Sequence, residues 1–317
     1  MRLIFSLFII AVIVGCSNDF EILEEQREIP VIYGVIDPAV ENQYIRVERV
    51  FSQDGVSGLD LAKDPANLYY DNITVKLLKG EQEFVLEEVD GNEEGLPRED
   101  GAFATSPNTL YKISTEILDP QEGENISIQV DGVFEDKEVS SEINVIEEPF
   151  FLTSSELVFL EGKNTRVSWT PKDGNEIFSV SLFITVTEVD QEGNINPKTV
   201  EWIISRNTTE ESISIEPIEF YQFMGGAFEV DPDIKRFIGN SQFVVTAGDI
   251  NVADVVRITG ANLGITSSDE IPTFSNIKNG LGIFAAKASN FPPAIPMDGD
   301  TKDSLRNGRF TKELNFE

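Results

Sequence analysis

The property that most restricts the fold of this chain is its hydrophobic period, which is two. In Phe178–Val189 the residues Phe178, Val180, Leu182, Ile184 and Val186 recur at every second position. Alternation places side chains on one face of a strand, whereas a helical face repeats every 3.6 residues. Shorter runs of the same kind occupy Pro30–Ile36, Tyr44–Phe51, Ile73–Leu78, Glu83–Val89, Thr109–Ser114, Asn125–Val130 and Glu138–Ile146. Gly, Asp, Asn and Pro separate them, and Lys79-Gly80-Glu81-Gln82 reads as a hairpin turn. Two loops, Ser52–Tyr70 and Asp90–Asn108, interrupt the series. Regular spacing of short strands predicts an antiparallel β-sandwich over 29–148.

A second such region is predicted over 149–291, after the junction Glu147-Glu148-Pro149. Its strands are expected at Glu156–Leu160, Asn164–Trp169, Phe178–Val189, Thr199–Asn207, Ser212–Ile215, Gln242–Gly248, Asp254–Thr259 and Gly282–Lys287. Short helices are expected at Pro217–Met224 and Ile234–Ile238, the latter with Asp231 as N-cap and Pro232 in the first turn. The last segment, 292–317, reads as polar and loose, ending in a strand at Arg309–Phe316. The fold class is thus mainly β, with two antiparallel sandwiches. Trp169 at a strand end, the long strand to Val189 and the run Phe243-Val244-Val245-Thr246-Ala247 resemble an immunoglobulin or fibronectin type III architecture.

Charge and residue usage exclude whole classes of function. With 24 Lys+Arg against 56 Asp+Glu the net charge is −32, and no basic cluster exists to neutralise phosphates. Nucleic acid is therefore excluded as a partner. The chain contains no histidine, which removes Ser-His-Asp and Cys-His catalysis and the HExxH zinc helix. Its one cysteine, Cys16, permits no internal disulfide. The expected protein is not an enzyme and carries no cofactor beyond a covalent lipid.

That lipid follows from the first residues. Met1-Arg2 precede an apolar run, Leu3–Val14, broken only by Ser6. A dozen apolar residues are too few for a span, which takes roughly 20. Residues 1–15 read as a secretory signal, and Ile13-Val14-Gly15-Cys16 resembles the lipobox of bacterial lipoproteins. The resemblance implies cleavage after Gly15 and acylation of the Cys16 thiol, with 16–28 as a tether. Each buried CH₂ contributes about 0.8 kcal/mol, so two or three acyl chains hold a protein at a bilayer. Polar, acidic residues after the cysteine (Asn18, Asp19, Glu21, Glu24, Glu25) resemble the export signal of Bacteroidota lipoproteins, and a solvated tether reads equally well.

Further along, Thr273-Phe274-Ser275-Asn276-Ile277-Lys278-Asn279-Gly280-Leu281-Gly282-Ile283-Phe284 resembles the "SNI-x-x-G-x-G-x-F" ending of a Bacteroidota outer-membrane lipoprotein family of unknown function. An early "P-x-x-x-G-x-I" strand, here Pro30, Gly34 and Ile36, belongs to the same resemblance. It implies an outer-membrane location, possession of a lipid anchor and company with a TonB-dependent β-barrel or another envelope protein. It supplies no catalytic residues. Asn276, Gly280, Gly282 and Phe284 read as a tight turn feeding a buried strand, with a ligand-binding loop as the alternative.

Three weaker sites complete the reading. Asp90, Asn92 and Glu94 place oxygens at positions 1, 3 and 5 of an EF-hand-like loop, but Gly101 stands where a bidentate Glu is needed. Asp298, Asp300 and Asp303 form a second acidic cluster of the same grade. Trp169, Trp202, Tyr69 and Tyr70 offer a sugar-stacking surface, the bland alternative being core packing. The expected role is an accessory or assembly component of a transport or secretion complex. The alternatives are a surface carbohydrate- or protein-binding module and a carboxylate-based hydrolase.

Overall fold

The computed structural model describes residues 29–52, 55–152, 154–261 and 274–317. The leader, Cys16 and the tether lie outside the described residues. Strand makes up 43% of the described residues and helix 16%, so the protein is mainly β.

Among the described residues fifteen strands form three sheets. In the first half these are β1 (Pro30–Ile36), β2 (Asn42–Arg49), β3 (Thr74–Lys79), β4 (Gln82–Val85), β5 (Glu87–Asp90), β6 (Thr109–Ser114), β7 (Asn125–Asp131) and β8 (Val139–Asn144). In the second they are β9 (Phe150–Phe151), β10 (Thr165–Thr170), β11 (Ile177–Val189), β12 (Ile195–Thr208), β13 (Ser212–Ile215), β14 (Lys235–Gly248) and β15 (Leu281–Asn290). The three longer helices are α1 (Pro217–Gly226), α2 (Ile250–Ala261) and α3 (Gly299–Asn307). The largest sheet has eight strands in the order β12-β11-β14-β15-β1-β2-β6-β5. A four-stranded sheet, β4-β3-β7-β8, and a three-stranded one, β13-β10-β9, supply the other layers of a sandwich-like architecture.

Alternation explains how the layers meet. Val180, Leu182, Ile184 and Val186 of β11 are all fully buried, as are Ile32 and Ile36 of β1 and Ile126 and Ile128 of β7. These residues belong to one contiguous apolar core. Phe151 of β9 meets Phe243 of β14 edge-on at 6.1 Å, and Trp169 of β10 meets Phe178 of β11 at 5.5 Å. Such aromatic contacts fasten the three-stranded sheet onto the eight-stranded one. The run predicted at Glu83–Val89 is divided at Leu86. Strand β4 pairs with β3, and β5 crosses to β6 in the larger sheet.

The junction at 147–149 does not separate two sets of strands. Strand β15 belongs to both halves at once. Its first part runs parallel to β1, from Val31↔Leu281 to Ile36↔Ala286, and its last part pairs antiparallel with β14, from Gly248↔Lys287 to Val245↔Asn290. Sequence proximity could not reveal this, because a parallel partner is reached only by a long crossover.

Other expectations are corrected near that crossover. The strand expected at Asp254–Thr259 is part of helix α2. Its Val- and Ile-rich run has strand propensity, but Asp249 imposes the helix. The Asp249 carbonyl accepts from Ala253 N (3.1 Å), and its carboxylate accepts from Val252 N (3.0 Å), as an N-cap does. The same carboxylate accepts from Ala286 N (3.1 Å), where β15 leaves β1. We expect Asp249→Ala to cost roughly 2–4 kcal/mol, the sum of a lost cap and an unpaired buried N–H. Urea denaturation of the two proteins measures it, and a loss below about 1 kcal/mol would contradict this double role.

The helix expected at Ile234–Ile238 is instead the start of β14. Pairs from Val189↔Lys235 to Val186↔Ile238 continue the β11 ladder, so sheet pairing overrides the local cap signal. The strand expected at Glu156–Leu160 reduces to isolated bridges at Leu157 and Leu160. The C-terminal segment is not loose. It forms α3 and a 3₁₀ turn, Lys312–Leu314, in place of the expected strand, and buries Leu305, Leu314 and Phe316. Among the described residues no helix is long and apolar enough to cross a membrane.

Candidate functional site

Local chemistry of the Asn276–Phe284 segment accounts for its residue types. Asn276 Nδ2 donates to Phe284 O (2.6 Å), and Asn276 Oδ1 accepts from Phe284 N (3.0 Å). One amide side chain thus does for Phe284 what a neighbouring strand would. The Asn276 carbonyl accepts from Ser141 Oγ (2.8 Å), while Lys278 exchanges backbone bonds with Ser140. Asn279, at φ 57°, donates its side-chain amide to Glu138 O (2.7 Å). The turn is therefore laced to β8 of the four-stranded sheet.

Beyond the turn the segment lies against β1. Gly282 has φ +105°, and a Cβ there would sit 2.0 Å from Ile32 O. No side chain fits. Phe284 is fully buried, and a Cβ on Gly34 would stand 3.1 Å from its ring. The two motifs quoted from opposite ends of the sequence are adjacent strands of one sheet. Pro30, Gly34 and Ile36 lie in the strand that Gly282 and Phe284 press against. The side chain of Asn276 and the backbone groups of Asn276 and Lys278 are engaged within this strand junction.

The two acidic clusters are likewise engaged internally. Asp90 Oδ1 accepts from Asn92 N (2.9 Å) and Asn108 N (3.2 Å). Asn92 donates to Thr105 O (2.9 Å), and Glu94 accepts from Lys112 Nζ (2.6 Å) and Tyr44 OH (2.8 Å). The Lys112 ammonium, then the Tyr44 hydroxyl, hold the Glu94 carboxyl below its ordinary value. Asp298 is the N-cap of α3, accepting from Thr301 N and Asp300 N, and Asp303 pairs with Arg306 (2.6 Å). Among the described residues no group of three or more Asp, Glu, Cys or His is arranged to hold a metal.

The aromatic residues do not assemble into one surface. Trp169 is 4% exposed and packs on Phe178. Trp202 stacks on Phe223 (5.5 Å, 16°) beside Phe159 and Phe220. Tyr69 accepts from Arg98 (3.4 Å), and Arg49 lies over the Tyr70 ring at 5.9 Å.

Two concavities are built from segments distant in sequence. An open groove of about 1070 Å³ runs between the start of α1 and α3, lined by Ile218, Tyr221 and Phe310 and by Glu161, Glu216 and Asp300. The Tyr221 hydroxyl donates to Phe159 O (2.6 Å), and burial pushes its pKa up. A crevice of about 450 Å³ lies where β15 changes partners, lined by Asp37, Glu122, Glu148 and Ser289. Burial raises the Asp37 carboxyl, against the opposing pull of Ala39 N–H, Lys287 and Ser289. No local motif marks either, because their walls come from segments up to about 250 residues apart.

The strand expected at Thr199–Asn207 is the long edge strand β12. It spans Ile195–Thr208 and ends the largest sheet. Compared with models of known protein families and with curated proteins, the sequence matches none.

Proposed function

We propose that this chain is a lipid-anchored, non-enzymatic accessory or assembly component of an outer-membrane transport or secretion complex, with a β-barrel or other envelope protein as partner. The observation that carries the reading is Ile13-Val14-Gly15-Cys16 after an apolar run too short to span, with Cys16 the one cysteine in 317 residues. An anchored, acidic, mainly β body without histidine suits binding better than acid–base or nucleophilic chemistry. We read the two halves as immunoglobulin- or fibronectin type III-like sandwiches sharing β15. Such bodies bind through edges and loops rather than through a catalytic cleft.

Mass spectrometry of the protein from native membranes tests this. The expected chain begins at Cys16 and carries two or three acyl chains, and Cys16→Ser moves it from the membrane pellet to the soluble fraction. A different N-terminus, or a Cys16→Ser protein that stays in the pellet, overturns the anchor and with it the location. Purification of the intact protein in mild detergent is expected to bring a β-barrel with it.

A further inference from the structure

Sheet edges expose unpaired backbone donors and acceptors, and proteins blunt them with short strands, charges, proline or covering segments. Most edges here are blunted in those ways. Strands β4, β5 and β13 have four residues each and β9 has two. The free side of β8 is covered by Lys278, bonded to Ser140 through both backbone groups. Strand β12 is different. It has fourteen residues, and among the described residues no strand lies on its far side.

Its pairing with β11 is continuous from Val189↔Ile195 to Ser181↔Ile203 and shifts only beyond that point. Pro197, near one end, has no N–H to offer. Between Pro197 and the shift lies a regular stretch, Lys198–Ile203, of the length of an ordinary strand. In an antiparallel pair every second residue turns its N–H and C=O away from the partner, so this stretch presents a ready backbone ladder. Lysine often guards such an edge, but Lys198 is drawn down to the buried Glu188 carboxylate.

We infer that Lys198–Ile203 is a docking edge at which an extended segment of a different polypeptide adds as a further strand. Backbone geometry sets the occupant's shape, since alternating N–H and C=O groups are completed only by another extended backbone. Side chains set its composition. Val200 and Trp202 lean against the core on one face, which calls for apolar neighbours. Thr199, Glu201 and Ile203 are exposed on the other. Glu201, held by Ser181 Oγ (2.7 Å), lies mid-stretch and calls for a Lys or Arg opposite it. A net charge of −32 opposes a second copy of this chain and favours a neutral or basic one. The inference rests on the reading of the protein as a binding component, and names the surface it binds with.

Hydrogen exchange on the full chain, purified from membranes, tests it with a synthetic peptide of alternating valine and threonine bearing one central lysine. At saturating peptide, exchange within Lys198–Ile203 is expected to slow by about tenfold. A glutamate peptide is expected to bind about fivefold more weakly, and Glu201→Lys to reverse that preference. Ile203→Lys, on the exposed face, keeps the fold and weakens the lysine peptide. Three results overturn the inference: no protection from either peptide, protection confined to other segments, or an unchanged preference in Glu201→Lys. Protection that rises with protein concentration without peptide assigns the edge to a second copy and overturns it too. Failure here with Cys16 acylated leaves the anchor reading standing, and peptide binding without acylation removes only that reading.

Discussion

Gly282→Ala is expected to lower folding stability by roughly 3–5 kcal/mol, combining backbone strain with overpacking against a neighbouring strand. At φ +105° an alanine is strained, and its Cβ would meet Ile32 O at 2.0 Å, far inside contact distance. Backbone, unlike a side-chain tip, cannot swing aside, so β15 must draw away from β1. Six registered pairs join those strands and close the sheet across both halves of the chain. Urea denaturation measures the loss. Hydrogen exchange should locate it, with protection falling together in Pro30–Ile36 and Leu281–Ala286. Gly299→Ala is the control, since a Cβ there meets nothing within 4 Å. If Gly282→Ala is as stable as that control, the close approach of β15 to β1 is wrong.

Arg236→Met is the second large effect, at roughly 3–5 kcal/mol, the usual cost of removing one partner of a buried ion pair; Glu188 keeps Lys198, but Leu314 O and Glu229 O lose their donor. Arg236 is 2% exposed on β14. Its guanidinium bonds Glu188 (2.9 Å), Leu314 O (2.8 Å) and Glu229 O (3.0 Å), and lies over the Phe228 ring. One side chain thereby latches the C-terminal segment to the sheet. Protection around Leu314 and Phe316 is expected to fall first. Adding Glu188→Gln should recover part of the loss, because the buried charge is then gone.

The pH dependence has a definite sign. Burial pushes the Glu188 carboxyl up, but hydrogen bonds and charge from Lys198 and Arg236 outweigh it and hold it below the usual 4.5. A carboxylate depressed in the folded state stabilises above its unfolded pKa, and that contribution fades as pH falls through the folded value. Wild-type protein therefore loses the Glu188 contribution only below the ordinary carboxylate range. Arg236→Met raises the Glu188 pKa, so its deficit is largest at neutral pH and narrows with acidification. A deficit independent of pH between neutral and acid would show that the loss does not run through the Glu188 carboxylate.

Strand residues were legible where the period of two was long and clean. Phe178, Val180, Leu182, Ile184 and Val186 are buried as their alternation requires, and so are Ile45 and Val47. Elsewhere one local signal was outweighed by another signal, near or distant. Asp231-Pro232 has the form of a helix start, yet Lys235–Ile238 extends the ladder beside β11. The Val-rich run after Asn251 has strand propensity, yet Asp249 caps it into α2. The polar tail hid Leu305, Leu314 and Phe316, too widely spaced to show a period but each sufficient to anchor a turn.

The candidate loop was visible as a pattern before its purpose was. Two glycines around Leu281 announced unusual backbone, and only the neighbouring strand explains them. Glycine at 282 is required by the carbonyl of Ile32, 250 positions earlier.

The amino-acid sequence by itself settled what is local or compositional: a mainly β chain, strongly acidic, with no histidine for catalysis and no second thiol for a disulfide. Those properties need no knowledge of neighbours. Tertiary structure decided which strands share β15, what the Asn276–Phe284 turn holds, and which long strand ends the largest sheet among the described residues. Hydrogen bonds between distant strands are made by backbone groups common to every residue, so partner choice leaves almost no local mark in the residues that make it.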